Sequence, residues 1–235
     1  RYMMYDNQMM LDFLYFGNHE QKHYGEARGG LLTPISKSWI SDLSVELTSM
    51  AIQIYGGMGY VEETGVAQYF RDARIAPIYA GTNGIQALDL TLKKIHIDEG
   101  KAVKNLFDEM ISVSNELKNS ESLSILNESY EFQIKNLMES TEKVRKLLIN
   151  DNQKSISGFA SPYTKMFGQV FGGHYMGKAA IFATNKFKED NDEFYKNKIT
   201  LSKYYIEQLL PLSSSYIPSI FLGNENLYSI NSNRF

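Results

Sequence analysis

Apolar residues crowd the start of the chain, at Met3, Met4, Met9, Met10, Leu11, Phe13, Leu14 and Phe16, a density that predicts a mostly buried helix over 2–17. Residues 18–32 are polar and end in Gly29-Gly30, the pattern of a loop. Thr33-Pro34 then reads as an N-cap followed by proline at the first helical position. Ile35, Trp39, Leu43, Leu47, Met50 and Ile54 recur at steps of three and four, which predicts a long amphipathic helix from Pro34 to Tyr55, stopped by Gly56 and Gly57. Asp42 and Glu46, a turn apart with no histidine or cation at the matching step, read as a solvated face.

The same periodicity predicts a short helix over Val66 to Ile75 and another after the Gly81 turn, capped by Thr82 or Asn83, with Ile85, Leu88, Leu92 and Ile95 on one side. Between Lys101 and Asn150, Val103 to Leu117 and Ile134 to Leu147 predict two further helices joined by the serine-rich stretch Lys118 to Ser124. The composition turns polar around Asp151 to Ser157, a candidate boundary. From Ala160 to Phe187 the pattern is a helix interrupted, or closely packed, at Gly168, Gly172 and Gly173. Phe194 to Leu210 is a last helix ended by Pro211, and the tail beyond Leu222 reads as frayed. The fold class is therefore all-α.

With 235 residues, 43% hydrophobic and 22% charged, the chain can bury one sizeable core or two modest ones. A net charge of −3 and a pI near 5.9 argue against a nucleic-acid surface. Its apolar runs are too short for a membrane span. Zero cysteines exclude disulfides and thiol nucleophiles and fit an intracellular protein. His19, His23, His96 and His174 are scattered and read as solvated or hydrogen-bonded rather than metal-ligating. No leader opens the chain, and Arg1-Tyr2-Met3 begins mid-pattern, as a fragment would.

Two glycine turns, Gly56-Gly57-Met58-Gly59 and Gly81-Thr82-Asn83-Gly84, flank the Val66–Ile75 helix. Spacing alone would make them helix punctuation, although such turns also let backbone approach a phosphate. The wording around them is more specific: Gln53-Ile54-Tyr55-Gly56-Gly57-Met58-Gly59-Tyr60, Arg71-Asp72-Ala73-Arg74, Ile78-Tyr79-Ala80-Gly81-Thr82 and Ile85-Gln86. This run resembles the carboxy-terminal helical domain of the acyl-CoA dehydrogenases. Phe159 to Tyr163, Phe167-Gly168, Gly172-Gly173 and Tyr205 to Pro211 resemble the extra helical domain of the 3-methylmercaptopropionyl-CoA dehydrogenase-like subfamily.

The resemblance implies an antiparallel helical bundle over 1–100, a helical connector over 101–150, an appended helical domain over 151–225 and a tail over 226–235. It implies FAD as cofactor, an acyl-CoA substrate, an electron-transfer flavoprotein as electron acceptor, and a homo-oligomer. Gln53, Gly56 and Gly57 would meet the FAD of a neighbouring subunit, with Thr82 and Gly84 on the flavin nucleotide of their own. Tyr79 and Gly81 would lie beside the acyl thioester. Arg71, Asp72 and Arg74 would form either a surface ion pair or a structural knot near the cofactor. The family's amino-terminal and middle domains find no counterpart here, so a separate amino-terminal fragment is one expected partner.

One position departs from the pattern. Many family members place at position 80 the glutamate that removes the substrate α-proton; here it is Ala80. A methyl group accepts no proton, so no catalytic residue is assigned and the chain alone is expected to be inactive. A base on another helix, substitution by Glu62 or Glu63, or a decayed or split remnant remain open. A non-enzymatic helical oligomerisation module is the competing expectation.

Overall fold

The computed structural model describes residues 1–150, 152–222, 227 and 229. Ten α-helices are present among them: α1 Tyr2–Phe16, α2 His19–Tyr55, α3 Gly57–Tyr60, α4 Val66–Ile75, α5 Asn83–Leu92, α6 Lys101–Asn119, α7 Asn127–Ile149, α8 Gln153–Asp190, α9 Glu193–Tyr204 and α10 Ile217–Phe221. Short 3-10 and π turns fill several of the joins, and no strand occurs among the described residues. The protein is all-α. The expected frayed tail lies almost wholly outside the described residues.

The predicted loop over 18–32 is helix instead. Asn18 opens α2 with a reciprocal cap: its side chain accepts from Gln21 N at 2.9 Å, and the Gln21 side chain accepts from Asn18 N at 2.9 Å. The glycines in this stretch mark a helix crossing rather than a turn, since a Cβ at Gly25 would stand 2.6 Å from Met10 O and one at Gly29 would stand 3.2 Å from Met10 Cβ. Backbone contact between α1 and α2 requires them to be small. Pro34 therefore sits inside a 37-residue helix and not at its first turn.

The first helix is also less buried than its composition predicts. Only Met3, Asp6 and Met10 are buried, whereas Phe16 is 86% exposed and Met4, Tyr5, Met9 and Leu11 also face solvent. One face packs on α2 and Tyr2 stacks on Tyr175 of α8, while Met4 and Phe16 stay on the surface.

The core lies around α8, whose Phe159, Tyr163, Phe167, Val170 and Phe171 are fully buried. Val103, Leu106, Met110, Val113 and Leu117 supply the α6 stripe, and Phe107 stacks on Phe167 with ring centroids 6.2 Å apart. Tyr163 Oη and Thr141 Oγ1 of α7 are 2.7 Å apart, which satisfies both buried hydroxyls. The glycines of α8 are contact points and not breaks: Gly168 faces Trp39 of α2, Gly172 faces Tyr205, and Gly173 faces Leu210. After α9 the helix widens into a π turn over Tyr205–Leu209. Pro211 then enters the first turn of a 3-10 stretch, Leu210–Tyr216, where its missing N–H costs little, so it changes the helix type without ending the helical path.

A buried charge network ties α1 to α2, α6 and α8. Asp6 accepts from Arg28 Nη2 at 2.8 Å and Nε at 3.3 Å, Tyr175 Oη donates to the same carboxylate, and Arg28 Nη1 donates to Glu109 at 2.6 Å. Burial would raise the Asp6 pKa, but the Arg28 and Tyr175 hydrogen bonds outweigh it and hold the carboxyl below its ordinary value. Nearby, His174 is fully buried with Nδ1 3.3 Å from Tyr130 Oη, and burial pushes its pKa down to about 3, helped by Lys178 and Arg28.

Two outcomes are expected. An alanine Cβ at Gly168 would lie 2.5 Å from Trp39 Cβ, so Gly168→Ala should destabilise the fold by about 1–3 kcal/mol in urea unfolding. Because the unfolded state takes up the His174 proton before the folded state does, stability should fall as pH drops from about 6.5 toward about 3. His174→Phe should flatten that slope between those limits in unfolding curves taken across pH.

Candidate functional site

The predicted segment begins where α2 ends. Gly56 reverses the chain at φ 60 and ψ −144, a conformation that side-chain-bearing residues avoid, and its N–H closes α2 on Gln53 O at 3.1 Å. Gly57 starts α3, Gly65 at φ 74 precedes α4, and α4 spans Val66–Ile75 as predicted. Gln53, Gly56 and Gly57 are all exposed.

A turn after Ile75 leads to the second half. Ala80 and Gly81 both adopt positive φ, at 55 and 81. Thr82 caps α5, its Oγ1 accepting from Ile85 N at 3.4 Å, and Gln86 Nε2 donates back to Ala80 O at 3.2 Å. Tyr79 is 74% exposed, and Ala80, Gly81, Thr82 and Gly84 are exposed as well.

This exposed turn is tied to the middle of α2. Asn83 Nδ2 donates to Asp42 Oδ1 at 2.7 Å, Ser41 Oγ at 2.9 Å and Ser38 O at 3.1 Å. Lys37 Nζ donates to Asn83 Oδ1 at 2.8 Å and to Gly81 O at 2.5 Å. Partial burial lowers the Lys37 pKa against the opposing pull of Asp42. Asp42 also faces Lys165 of α8 at 3.6 Å. It is therefore a tertiary anchor, not the free solvated carboxylate that its spacing suggested. Sequence reasoning missed Lys37 and the inward role of Asn83, because their partners lie some forty residues away and no local pattern announces them.

The two halves are not brought together within this chain. Gln53 lies roughly 24 Å further along α2 than Lys37, at the helical rise of about 1.5 Å per residue. Each half nevertheless has features suited to an external ligand. A Cβ at Gly57 would meet nothing within 4 Å, and one at Gly84 would meet only Thr82 Oγ1 at 3.9 Å. Internal packing does not explain either glycine, whereas close approach of an outside group would. The positions expected to hold FAD thus leave backbone open on both turns.

Arg71 forms a two-point ion pair with Glu62, at 2.9 and 2.8 Å, on the surface. That hydrogen bond and its charge hold the Glu62 carboxyl below its ordinary pKa, which weakens Glu62 as a proton acceptor. Asp72 accepts from Gln68 at 2.6 Å. Among the described residues no cluster of three histidine, aspartate or glutamate side chains is placed to hold a metal, and no helix is long and apolar enough to cross a membrane.

Two family models match the chain. Residues 8–92 match the model of the acyl-CoA dehydrogenase C-terminal domain, and residues 106–230 match that of the acetyl-CoA dehydrogenase C-terminal-like domain. The chain is 29% identical to 3-methylmercaptopropionyl-CoA dehydrogenase of Ruegeria pomeroyi over 209 residues, covering 85% of this chain and 34% of that protein. It is 25% identical to a butyryl-CoA dehydrogenase of Syntrophomonas wolfei over 200 residues, covering 82% of this chain and 32% of that protein. It is 30% identical to acyl-CoA dehydrogenase family member 11 of Caenorhabditis elegans over 133 residues, covering 54% and 19%. The chain spans about a third of the length of the first two relatives.

Replacing Asn83 with alanine should strip Lys37 and Asp42 of a shared partner and cost about 1–3 kcal/mol. Urea unfolding of Asn83→Ala, with amide exchange read across residues 78–84, checks this: exchange there should quicken ahead of the core.

Proposed function

The chain belongs to the acyl-CoA dehydrogenase family, and on that premise we propose that it supplies the carboxy-terminal, flavin-facing part of an FAD-dependent enzyme acting on the Cα–Cβ bond of an acyl-CoA thioester. The observation that carries the reading is the pinned turn at Gly81–Asn83, held rigid from behind by Lys37 and Asp42 while its outer face stays bare. Gln53, Gly56 and Gly57 would hold the pyrophosphate or adenosine part of the cofactor, and Thr82 and Gly84 its flavin nucleotide. Tyr79 and Gly81 would border the acyl thioester. Bound FAD supplies the hydride acceptor, and electrons then leave to an electron-transfer flavoprotein.

The chain's own contribution is position. Lys37 and Asn83 fix the height of the turn against α2, and Gly57 and Gly84 keep side chains out of the approach. Proton removal is not provided at position 80, where the side chain is a methyl group. This chain by itself is therefore inactive, and turnover requires residues outside it. The division into a bundle over 1–100, a connector over 101–150 and an appended domain over 151–225 belongs to the same reading.

A second reading, a helical association module, draws on the exposed apolar side chains of Leu47, Met50, Ile54, Tyr60, Tyr69, Ile78 and Ile85. The two are compatible if these side chains join copies of the chain in a homo-oligomer.

Titration of FAD into the purified chain, read by quenching of flavin fluorescence, tests the first reading. Saturable quenching weakened by Thr82→Val and Gln53→Ala is expected; no quenching would leave the association module, visible as concentration-dependent sedimentation. Ala80 already holds a positive φ, so Ala80→Glu adds little new backbone strain. In an enzyme reassembled with the rest of a relative's chain, Ala80→Glu should raise turnover by about 10²–10⁴-fold.

A further inference from the structure

A cavity of about 660 Å³ opens directly on the charge network, between α1, α2, α6, α8 and α9, and none of the flavin-facing positions lines it. Its size falls in the range of small-molecule sites, which run from about 300 to 1,000 Å³. The walls are aromatic: Tyr2, Tyr5 and Tyr24 come from α1 and α2, and Tyr175, Phe182 and Phe194 from α8 and α9. Tyr2 and Tyr175 stack with centroids 6.2 Å apart, and Phe182 and Phe194 each meet Tyr195 edge to face at 6.4 and 5.4 Å, yet Tyr5, Phe182 and Phe194 all remain more than half exposed. The ring surface left exposed favours a flat apolar guest through offset stacking.

The charges around the cavity are unequal. Arg28 is shared by Asp6 and Glu109, so that group carries one surplus negative charge. Lys178 and Lys198 also line the cavity and outweigh it by one. Among the described residues neither ammonium lies within ion-pair distance of a carboxylate; Lys198 instead rests over the Phe194 ring at 5.5 Å. A negative group between these two lysines would neutralise the excess, and a cation would increase it. Asp6 is already saturated by Arg28 and Tyr175, so it neither draws a cation inward nor lacks a donor.

We propose that this cavity binds a planar aromatic anion carrying one negative charge, its ring against Phe182 and Phe194 and its anionic group between Lys178 and Lys198. The proposal is independent of the flavin-facing reading and stands whether or not the chain binds FAD. Calorimetry on the whole chain with naphthoate tests it, with naphthylmethanol as the neutral shape match and decanoate as the aliphatic anion.

Naphthoate should bind in one saturable event, at least about tenfold tighter than either comparison compound, and weaken as salt is raised. The double variant Lys178→Gln, Lys198→Gln should weaken naphthoate about tenfold and leave naphthylmethanol unchanged. Ala179→Trp, which fills the cavity from α8, should abolish binding; an unchanged helical circular dichroism spectrum and melting temperature would show that both variants fold. Absence of saturable naphthoate binding, equal affinity for naphthylmethanol, tighter binding of decanoate, or full binding by a folded Ala179→Trp chain would each overturn the proposal.

Discussion

The approach of α2 to α8 at Trp39 is the contact from which the remaining geometry follows. Gly168 offers no side chain, so the indole of Trp39 lies directly on the α8 backbone, and Gly172 lets Tyr205 reach the same helix and donate to Gln169 O at 2.9 Å. A helix of 37 residues with a proline inside it would bend readily if left alone. Held at Trp39, the middle of α2 becomes a fixed rail. Lys37, Ser38, Ser41 and Asp42 project from the same stretch, and through Asn83 they set where the exposed turn stands. The ion pair from Asp42 to Lys165 adds a second link between the rail and α8.

The buried charge network carries a different load. Removing Asp6 and Arg28 from water is costly, and such pairs seldom add net stability over an apolar substitute. Here the cost is offset by saturation, since the Asp6 carboxylate accepts three hydrogen bonds and Arg28 reaches a second carboxylate. What the network adds is register. The apolar contacts of α1 could slide along α2 with little penalty, but an aspartate one turn out of place would leave the buried guanidinium with Glu109 as its one carboxylate partner and two of its N–H groups without an acceptor.

Helix ends marked by local chemistry were legible in the sequence. Tyr55 gives way to Gly56 because the backbone reverses there, and Val66 to Ile75 is bounded by Gly65 and a turn toward Pro77. Where the same residue type serves a tertiary purpose, local reading fails. Gly25 and Gly29 looked like loop residues because nothing local distinguishes a glycine that frees φ from one that admits a neighbouring helix. Pro34 looked like a helix start for the same reason. At the candidate site, the motif residues could be named from sequence, but the anchoring set of Lys37, Ser41, Asp42 and Asn83 depends on contacts across more than forty positions. The charge spacing of Asp42 and Glu46 carries no trace of them.

The separation of the two glycine turns constrains how any dinucleotide could use both. The carboxy-terminal end of α2 presents carbonyl groups and a partial negative charge, which works against a phosphate placed on its axis. The reversal at Gly56 turns the chain away from that axis, and Gly59 N bonds back to Gly56 O at 2.9 Å, so Gly57 and Met58 stand at the start of the next helix, where amides ordinarily lack partners. The favourable ground for phosphate is thus beside α3 and not beyond α2. The α5 turn, a little under half of α2's length away, would face a ligand from the bare side of Thr82 and Gly84. A single chain would have to stretch one ligand along the exposed flank of α2 to meet both. Two chains packed through the exposed apolar side chains between Leu47 and Ile85 could offer one turn each, and that demand, set by helical rise and helix polarity, ties the flavin-facing reading to association.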